Sequence, residues 1–238
     1  MTDYLFGRHP VVESLRAGGK IKQIFVAQDS KPSQAIAEII GLAERSDIPV
    51  KRKPRHELDE KVQGNHQGVV AVVEPFSYAT LDDAIASGSR IVLLDGLTDP
   101  ANLGSILRSA EAFGFTALLI PRHRSVSVTP TVRKVASGAA ERVAIAEVTS
   151  ASSAIEKLKK VGFWVIGLHP DAELDYRSTP FKDDAICLVV GAEGAGLSRL
   201  VRERCDALVK IPMQGNLASI NVAVAAAVVM VEVTRNSG

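Results

Sequence analysis

Few of the groups that metal or hydrolytic chemistry needs are arranged for it in this 238-residue sequence. There are two cysteines, Cys187 and Cys205, in no metal-ligand spacing, and no carboxylate pair has such spacing either. The five histidines, His9, His56, His66, His123 and His169, are scattered, and no serine occupies a nucleophile elbow. Metal catalysis and serine hydrolysis are therefore unsupported. The most apolar run, Val222–Val231, is ten residues, followed at once by Glu232. That is about half a membrane span, so it reads as a buried helix and no membrane partner is expected. The stretch Met1-Thr-Asp-Tyr-Leu-Phe-Gly7 lacks the basic and apolar regions of a signal peptide, and a reducing cytoplasm is the expected location. Charge of one sign is also scarce. With a net charge of +1, any nucleic-acid surface has to come from local clustering.

What is present is ordinary for a soluble globular chain, 46% apolar and 23% charged, with length for one large domain or two modest ones. Residues 1–75 alternate helix (Val11–Arg16), strand (Ile24–Val26), helix (Ser33–Ser46), strand (Val50–Arg52) and strand (Val69–Val73), the pattern of a small α/β domain. Lys51-Arg-Lys-Pro-Arg55 is a dense basic cluster there, either a solvated loop or an RNA phosphate contact. Because this part holds eleven Lys/Arg against ten Asp/Glu, only local geometry makes it cationic. Residues 76–88, with proline and small polar residues, read as a linker with a helical turn or two at most.

From residue 89 to 238 strands and helices alternate repeatedly, which demands a mainly parallel sheet covered on both faces. The expected strands are Ile91–Asp95, Ala117–Ile120, Val143–Ala146, Trp164–Leu168, Ile186–Val190 and Ala207–Ile211, and a closing helix starts near Leu217. Gly191-Ala-Glu-Gly-Ala-Gly196 follows the apolar strand Ile186–Val190, at the edge where open α/β sheets bind ligands. Its spacing is not that of a dinucleotide loop, and Glu193 inside it would repel a pyrophosphate. It is either a plain strand-to-helix turn or part of a site. In the helix after Ile91–Asp95, Leu103, Ile106, Leu107 and Ala110 form one apolar stripe, with Arg108 off it. Arg108 reads as a solvated surface group or a functional one. If the strands run parallel, Asn102, Arg108 and Glu193 converge at one edge. Residues 101–142 carry six Lys/Arg, among them Arg122, Arg124 and Arg133, against two acids, an excess that fits a polyanionic substrate. Ser219 and Asn221 flank Ile220 at the last helix, where one of the pair is accounted for by capping.

Three segments, Asp95–Ala110, Val190–Gly196 and Ile211-Pro-Met with Ser219–Ala225, resemble in order and spacing those of the TrmH type of SPOUT-superfamily RNA ribose 2′-O-methyltransferases. Lys134–Glu141 looks like a fourth shared segment, and Gly7-Arg-His-Pro10 with Asn65-His-Gln-Gly68 resembles the small RNA-binding domain of enzymes that methylate a guanosine in 23S rRNA. The resemblance implies a SPOUT domain with a carboxyl-terminal trefoil knot, S-adenosylmethionine as cofactor and a homodimer. It implies cofactor contacts at Gly191, Ile211 and Ile220, with Leu168 and Gly167 nearby. It also implies that Arg108 activates the hydroxyl while Asn102, Glu193, Ser219 and Asn221 orient the nucleotide. By their clustering, Lys51, Arg52, Lys53, Arg55, Arg122, Arg124 and Arg133 are the residues expected to meet RNA. No metal is implied. Ala101 and Ala218 stand where the family often has larger or more polar residues. Transfer RNA as substrate, and a non-catalytic RNA-binding or ribosome-assembly role for the same fold, are the rival readings.

Overall fold

The computed structural model describes residues 3–179, 181, 185–216 and 219–235. The chain forms two units, Met1–Ser77 with Val128–Arg142, and Tyr78–Ser127 with Val143–Gly238. In chain order the first unit holds β1 (Asp3–Phe6), α1 (Arg8–Arg16), β2 (Ile21–Ala27), α2 (Gln34–Arg45), β3 (Val50–Lys53), α3 (Arg55–Asp59) and β4 (Val69–Val73). The second begins with α4 (Leu81–Ala86), β5 (Arg90–Asp95), α5 (Pro100–Ala112) and β6 (Ala117–Pro121). Next come α6 (Pro130–Ala136) and α7 (Ala139–Arg142), which belong to the first unit. The second then continues with β7 (Ala144–Val148), α8 (Ala151–Lys160), β8 (Trp164–Leu168), β9 (Leu174–Asp175), β10 (Ile186–Gly191), α9 (Arg199–Arg204), β11 (Ala207–Lys210) and α10 (Val222–Arg235).

In the first unit the sheet order is β1-β4-β2-β3, with β2 and β3 parallel and β4 antiparallel to both its neighbours. Ser33 caps α2 by accepting from Ile36 N, and Ile36, Ile39 and Ala43, one helical face, bury against Val11, Val12 and Leu15 of α1. Arg133, expected at an RNA surface, is instead only 6% exposed. Its Nη2 sits 2.8 Å from Glu141 and its Nη1 donates to the Glu74 carbonyl at 3.2 Å. That ion pair and carbonyl fasten α6 and α7 to the first unit, although the sequence pattern placed them in the carboxyl-terminal domain.

The second unit is a seven-stranded sheet, β7-β6-β5-β10-β8-β11-β9, in which every pairing is parallel. The central strands β5 and β10 are nearly continuous apolar runs because helices cover both faces. Within residues 76–88 the helical turn or two expected is α4, which a Thr80–Asp83 capping box starts and whose Ala84 is fully buried. Asp99 caps α5 with Pro100 in the first turn, and Leu103, Ile106, Leu107 and Ala110 are fully buried. Helices α5 and α10 lie side by side and point the same way: Asn102 meets Asn221 at one end, and Thr234 Oγ1 donates to the Phe113 carbonyl at the other. Helix α10 is observed from Val222; Leu217 and Ala218 lie outside the described residues.

Candidate active site

Parallel strands deliver the turns after β5, β6, β8, β10 and β11 to one edge of the sheet. The turn after β10 doubles back on itself. Ala192 N donates to the Gly196 carbonyl at 3.1 Å and Gly196 N to the Ala192 carbonyl at 2.9 Å. A Cβ at Gly191 would collide with the Gly196 carbonyl group and stand 2.5 Å from Leu197 N, so only glycine permits the closure. Gly194, at the tip, has a φ of +76°. The glycines therefore serve the tightness of a backbone hairpin and the display of Glu193 at its end.

Glu193 is where three elements meet. Asn102 Nδ2 donates to its Oε1 at 2.8 Å and Asn221 Nδ2 to the same oxygen at 3.0 Å, while Asn221 Nδ2 also reaches Asn102 Oδ1 at 2.9 Å. Asn221 Oδ1 accepts from Ala223 N and Val224 N, so the one side chain caps α10 and holds the carboxylate. Asn102 is 8% exposed and fixed through its own backbone by Asp99. The opening of the hairpin is set by Asp95, whose Oδ2 accepts from Ser198 N at 2.7 Å.

Beside this cluster is a cavity of about 820 Å³, within the range of about 300–1,000 Å³ usual for small-molecule sites. Leu168, Gly191, Ile211 and Ile220, all expected to touch a cofactor, line it, as do Glu193, Ser219 and Asn221. Gly167 does not line it. A Cβ there would stand 2.7 Å from Leu197 and Leu208 and 3.0 Å from Cys205 Sγ, so this glycine allows strand β8 to pack closely against those side chains, next to Leu168, which does line the cavity. Sequence reasoning missed His169 and Lys210, which also line the cavity. His169 follows Leu168 directly at the strand end. Its Nδ1 accepts from Asp171 N at 3.2 Å, which leaves the ring proton on Nε2.

Arg108 is not gathered with the cluster. It is exposed on α5, six residues beyond Asn102, hence about 9 Å along the helix axis and on another side of it. Among the described residues it forms no ion pair. Arg122 and Arg124 are exposed on the turn after β6, at the same sheet edge, with Arg122 Nε 3.8 Å from Glu147. That turn is tied to the one after β5 by Val126 N and Ser125 Oγ, both donating to the Leu97 carbonyl. In the first unit Lys51 and Arg52 are exposed on the edge strand β3, whereas Lys53 pairs with Glu57 at 2.9 Å and Arg55 lies 3.6 Å from Asp29.

A parallel sheet with a glycine hairpin, a carboxylate held by two asparagines and a cavity of mixed polar and apolar lining beside them fits a cofactor-dependent α/β enzyme without a phosphate cradle. Residues 89–231 match the SpoU rRNA Methylase family and residues 4–79 match the RNA 2'-O ribose methyltransferase substrate binding family. YacO of Bacillus subtilis, assigned to the TrmH family of tRNA/rRNA methyltransferases, is 40% identical over 98% of this chain and 95% of its own. The SpoU methyltransferase AviRb of Streptomyces viridochromogenes, solved in complex with AdoMet, superposes with a TM-score of 0.80 at 26% identity, covering 98% of this chain and 89% of that one. An AdoMet-bound rRNA methyltransferase of Sinorhizobium meliloti gives 0.79 at 25% identity over 98% and 87%. The chain belongs to the SpoU rRNA methylase family. It is an RNA ribose 2′-O-methyltransferase that uses S-adenosylmethionine. Its cavity fits that cofactor, with apolar side chains such as Leu168, Ile211 and Ile220 beside polar ones such as Glu193 and Asn221, and a tight backbone hairpin that a Cβ at Gly191 would force open.

Proposed function

We propose that this enzyme methylates the 2′-hydroxyl of a guanosine in 23S rRNA, working as a cytoplasmic homodimer whose carboxyl-terminal segment is threaded as a trefoil knot. The Asn102–Glu193–Asn221 cluster at the mouth of the cavity carries the reading, because it ties three separate segments into one polar wall beside the cofactor space. Support for ribosomal RNA comes from the near full-length likeness to the Sinorhizobium meliloti rRNA methyltransferase and from a separate amino-terminal unit that matches a substrate-binding family. Support for the knot comes from the strand order, in which β10 enters between β5 and β8 while β11 lies beyond β8.

In this reading Leu168, Gly191, Ile211 and Ile220 hold S-adenosylmethionine. The cofactor supplies a methyl group already activated on a sulfonium, so the protein has to align the ribose oxygen with it and manage one proton. Arg108 stabilises the developing alkoxide. An arginine stays protonated throughout, so it serves as a fixed charge and hydrogen-bond donor. Its exposure without an ion pair leaves the guanidinium available to RNA. Asn102, Glu193, Ser219 and Asn221 orient the nucleotide, and Lys51, Arg52, Arg122 and Arg124 meet phosphates.

The test is a map of 2′-O-methyl sites in ribosomal and transfer RNA from cells lacking the gene, complemented with wild type or Arg108→Ala. Wild type restores one site in 23S rRNA. Arg108→Ala leaves it unmodified, while calorimetry shows its S-adenosylmethionine affinity within about two-fold of wild type, since the arginine acts on the hydroxyl and not on the cofactor. Restoration of a tRNA site instead would overturn the rRNA assignment, and wild-type turnover by the variant would overturn the role of Arg108.

A further inference from the structure

Arg8 opens α1 in the first unit and is pinned by neutral acceptors. Its Nε donates to the Gln67 carbonyl at 2.9 Å, its Nη1 to Ser33 Oγ at 3.2 Å, and its backbone N–H to Gln67 Oε1 at 3.2 Å. Among the described residues no carboxylate pairs with it, so its charge is fixed in place and uncompensated. Arg16, two turns on, differs: Glu13 and Glu38 hold it at 2.7 and 2.8 Å. Arg8 faces a shallow cleft of about 490 Å³, shared with His9, Gln34, Glu38 and Gln67, onto which the first turns of α1 and α2 both open.

The far wall of this cleft is rigidly built. Gln67 has a φ of +53°, uncommon for a residue with a side chain. Asn65 Oδ1 accepts from Gln67 N at 3.1 Å, and the buried His66 accepts from Gly68 N through Nδ1 at 3.0 Å. That assigns the His66 proton to Nε2, which lies 2.8 Å from Asp59 Oδ1. Three side chains thus hold an unfavourable turn, and its outward result is Gln67 clamping Arg8 from two sides. Strained, over-determined backbone of this kind gathers at functional sites.

We propose that this cleft reads an unpaired nucleotide of the substrate RNA: the Arg8 guanidinium takes its phosphate, and the Gln34 amide and the free Nε2 of Gln67 bond the edge of its base. This rests on the chain being an RNA methyltransferase and gives the substrate a place on the first unit. The chemistry separates two kinds of contact. Lys51 and Arg52, exposed on an edge strand, meet phosphates of any RNA, whereas amides bearing both donors and acceptors beside one oriented guanidinium suit a base that is not already paired.

Gln34→Glu in the full-length protein tests this. Gln34 is exposed, and a glutamate at the first position of α2 is favoured by the helix dipole, so a merely structural role leaves the melting temperature unchanged or slightly raised. A glutamate at this position keeps an acceptor and loses the amide N–H donors that the base edge would use. The probes are a fluorescent RNA hairpin with a single-stranded loop and a fully paired duplex of the same stem, read by anisotropy. Hairpin affinity should fall at least about ten-fold and duplex affinity by less than about two-fold, with S-adenosylmethionine affinity unchanged. Arg8→Gln should lower the slope of log affinity against log salt by about one on the hairpin. Unchanged hairpin binding in Gln34→Glu overturns the proposal, and equal losses on hairpin and duplex overturn base reading. Methyl transfer by the wild-type protein to unmodified rRNA and tRNA is measured separately; transfer to neither would sink the enzymatic reading while leaving the binding comparison intact.

Discussion

Burial pushes the Cys205 thiol up to about 12, with Asp206 and Asp95 adding to the shift and Lys159 opposing it, and burial with the nearby Cys205 pushes the Cys187 thiol well above its usual range. The folded chain therefore keeps both protons in a window where the unfolded chain releases them, beginning near about 8.5. The resulting stability is fully present below that value and is lost as pH rises towards the folded value. Urea unfolding at about pH 9 and about pH 11 should show wild type losing more stability than Cys205→Ala, by up to about 1.4 kcal/mol per pH unit. Equal losses would mean that the thiol is solvated. Other residue roles were harder to read from sequence. Asn102 and Glu193 were legible as neighbours because both follow parallel strands, whereas Arg108, expected beside them, is not gathered there and Asn221 was expected only through the resemblance; the structure joins Asn102 and Asn221 to one Glu193 oxygen. Arg133 was misread because nothing local distinguishes an arginine that solvates from one that buries. Its partner Glu141 is eight residues away in another helix, and only the tertiary fold brings the two together.

At the scale of elements, strands buried on both faces gave the clearest signal, since β8 and β4 fall where their apolar runs end and β10 extends one residue further, to Gly191. Very short elements did not. Strand β1 and helix α3 have four and five residues, and their formation depends on pairing and packing with distant partners, not on local periodicity. The helical turn or two expected within residues 76–88 is observed as α4, six residues long and started by the Thr80–Asp83 capping box. The hairpin after β10 is the element whose sequence tolerance is narrowest. In Gly191→Ala the new methyl meets backbone, which cannot rotate away as a side chain would. The hairpin has to open, moving Glu193 off Asn102 and distorting the cavity wall. The expected cost is about 1–3 kcal/mol of stability, with S-adenosylmethionine affinity down by at least about ten-fold in calorimetry. A variant that binds the cofactor as wild type does would show that the hairpin is not part of the cofactor wall.

For the whole molecule, α10 poses the main question, because it is apolar on more sides than its own chain covers. Ala223, Ala226, Val229, Met230 and Val233 are buried, yet Val224 is 52% and Val231 45% exposed, two turns apart on one face, with Ile220 at 37% just before the helix. A second copy of the chain, related by a two-fold axis, would cover such a stripe with the same stripe. The cavity is lined by Ile220, Val222 and Ala225 from the start of this same segment, so packing on its outer side would steady the wall that holds the cofactor. Light scattering at micromolar concentration should give about twice 25.3 kDa for wild type. The double variant Val224→Glu with Val231→Glu replaces only exposed side chains, so each unit should still fold. Its mass should fall to that of one chain, and its S-adenosylmethionine affinity should drop at least about five-fold as the α10 start loosens. A wild-type mass of one chain would rule out the dimer. A monomeric variant with unchanged cofactor affinity would keep the dimer and remove its part in holding the site.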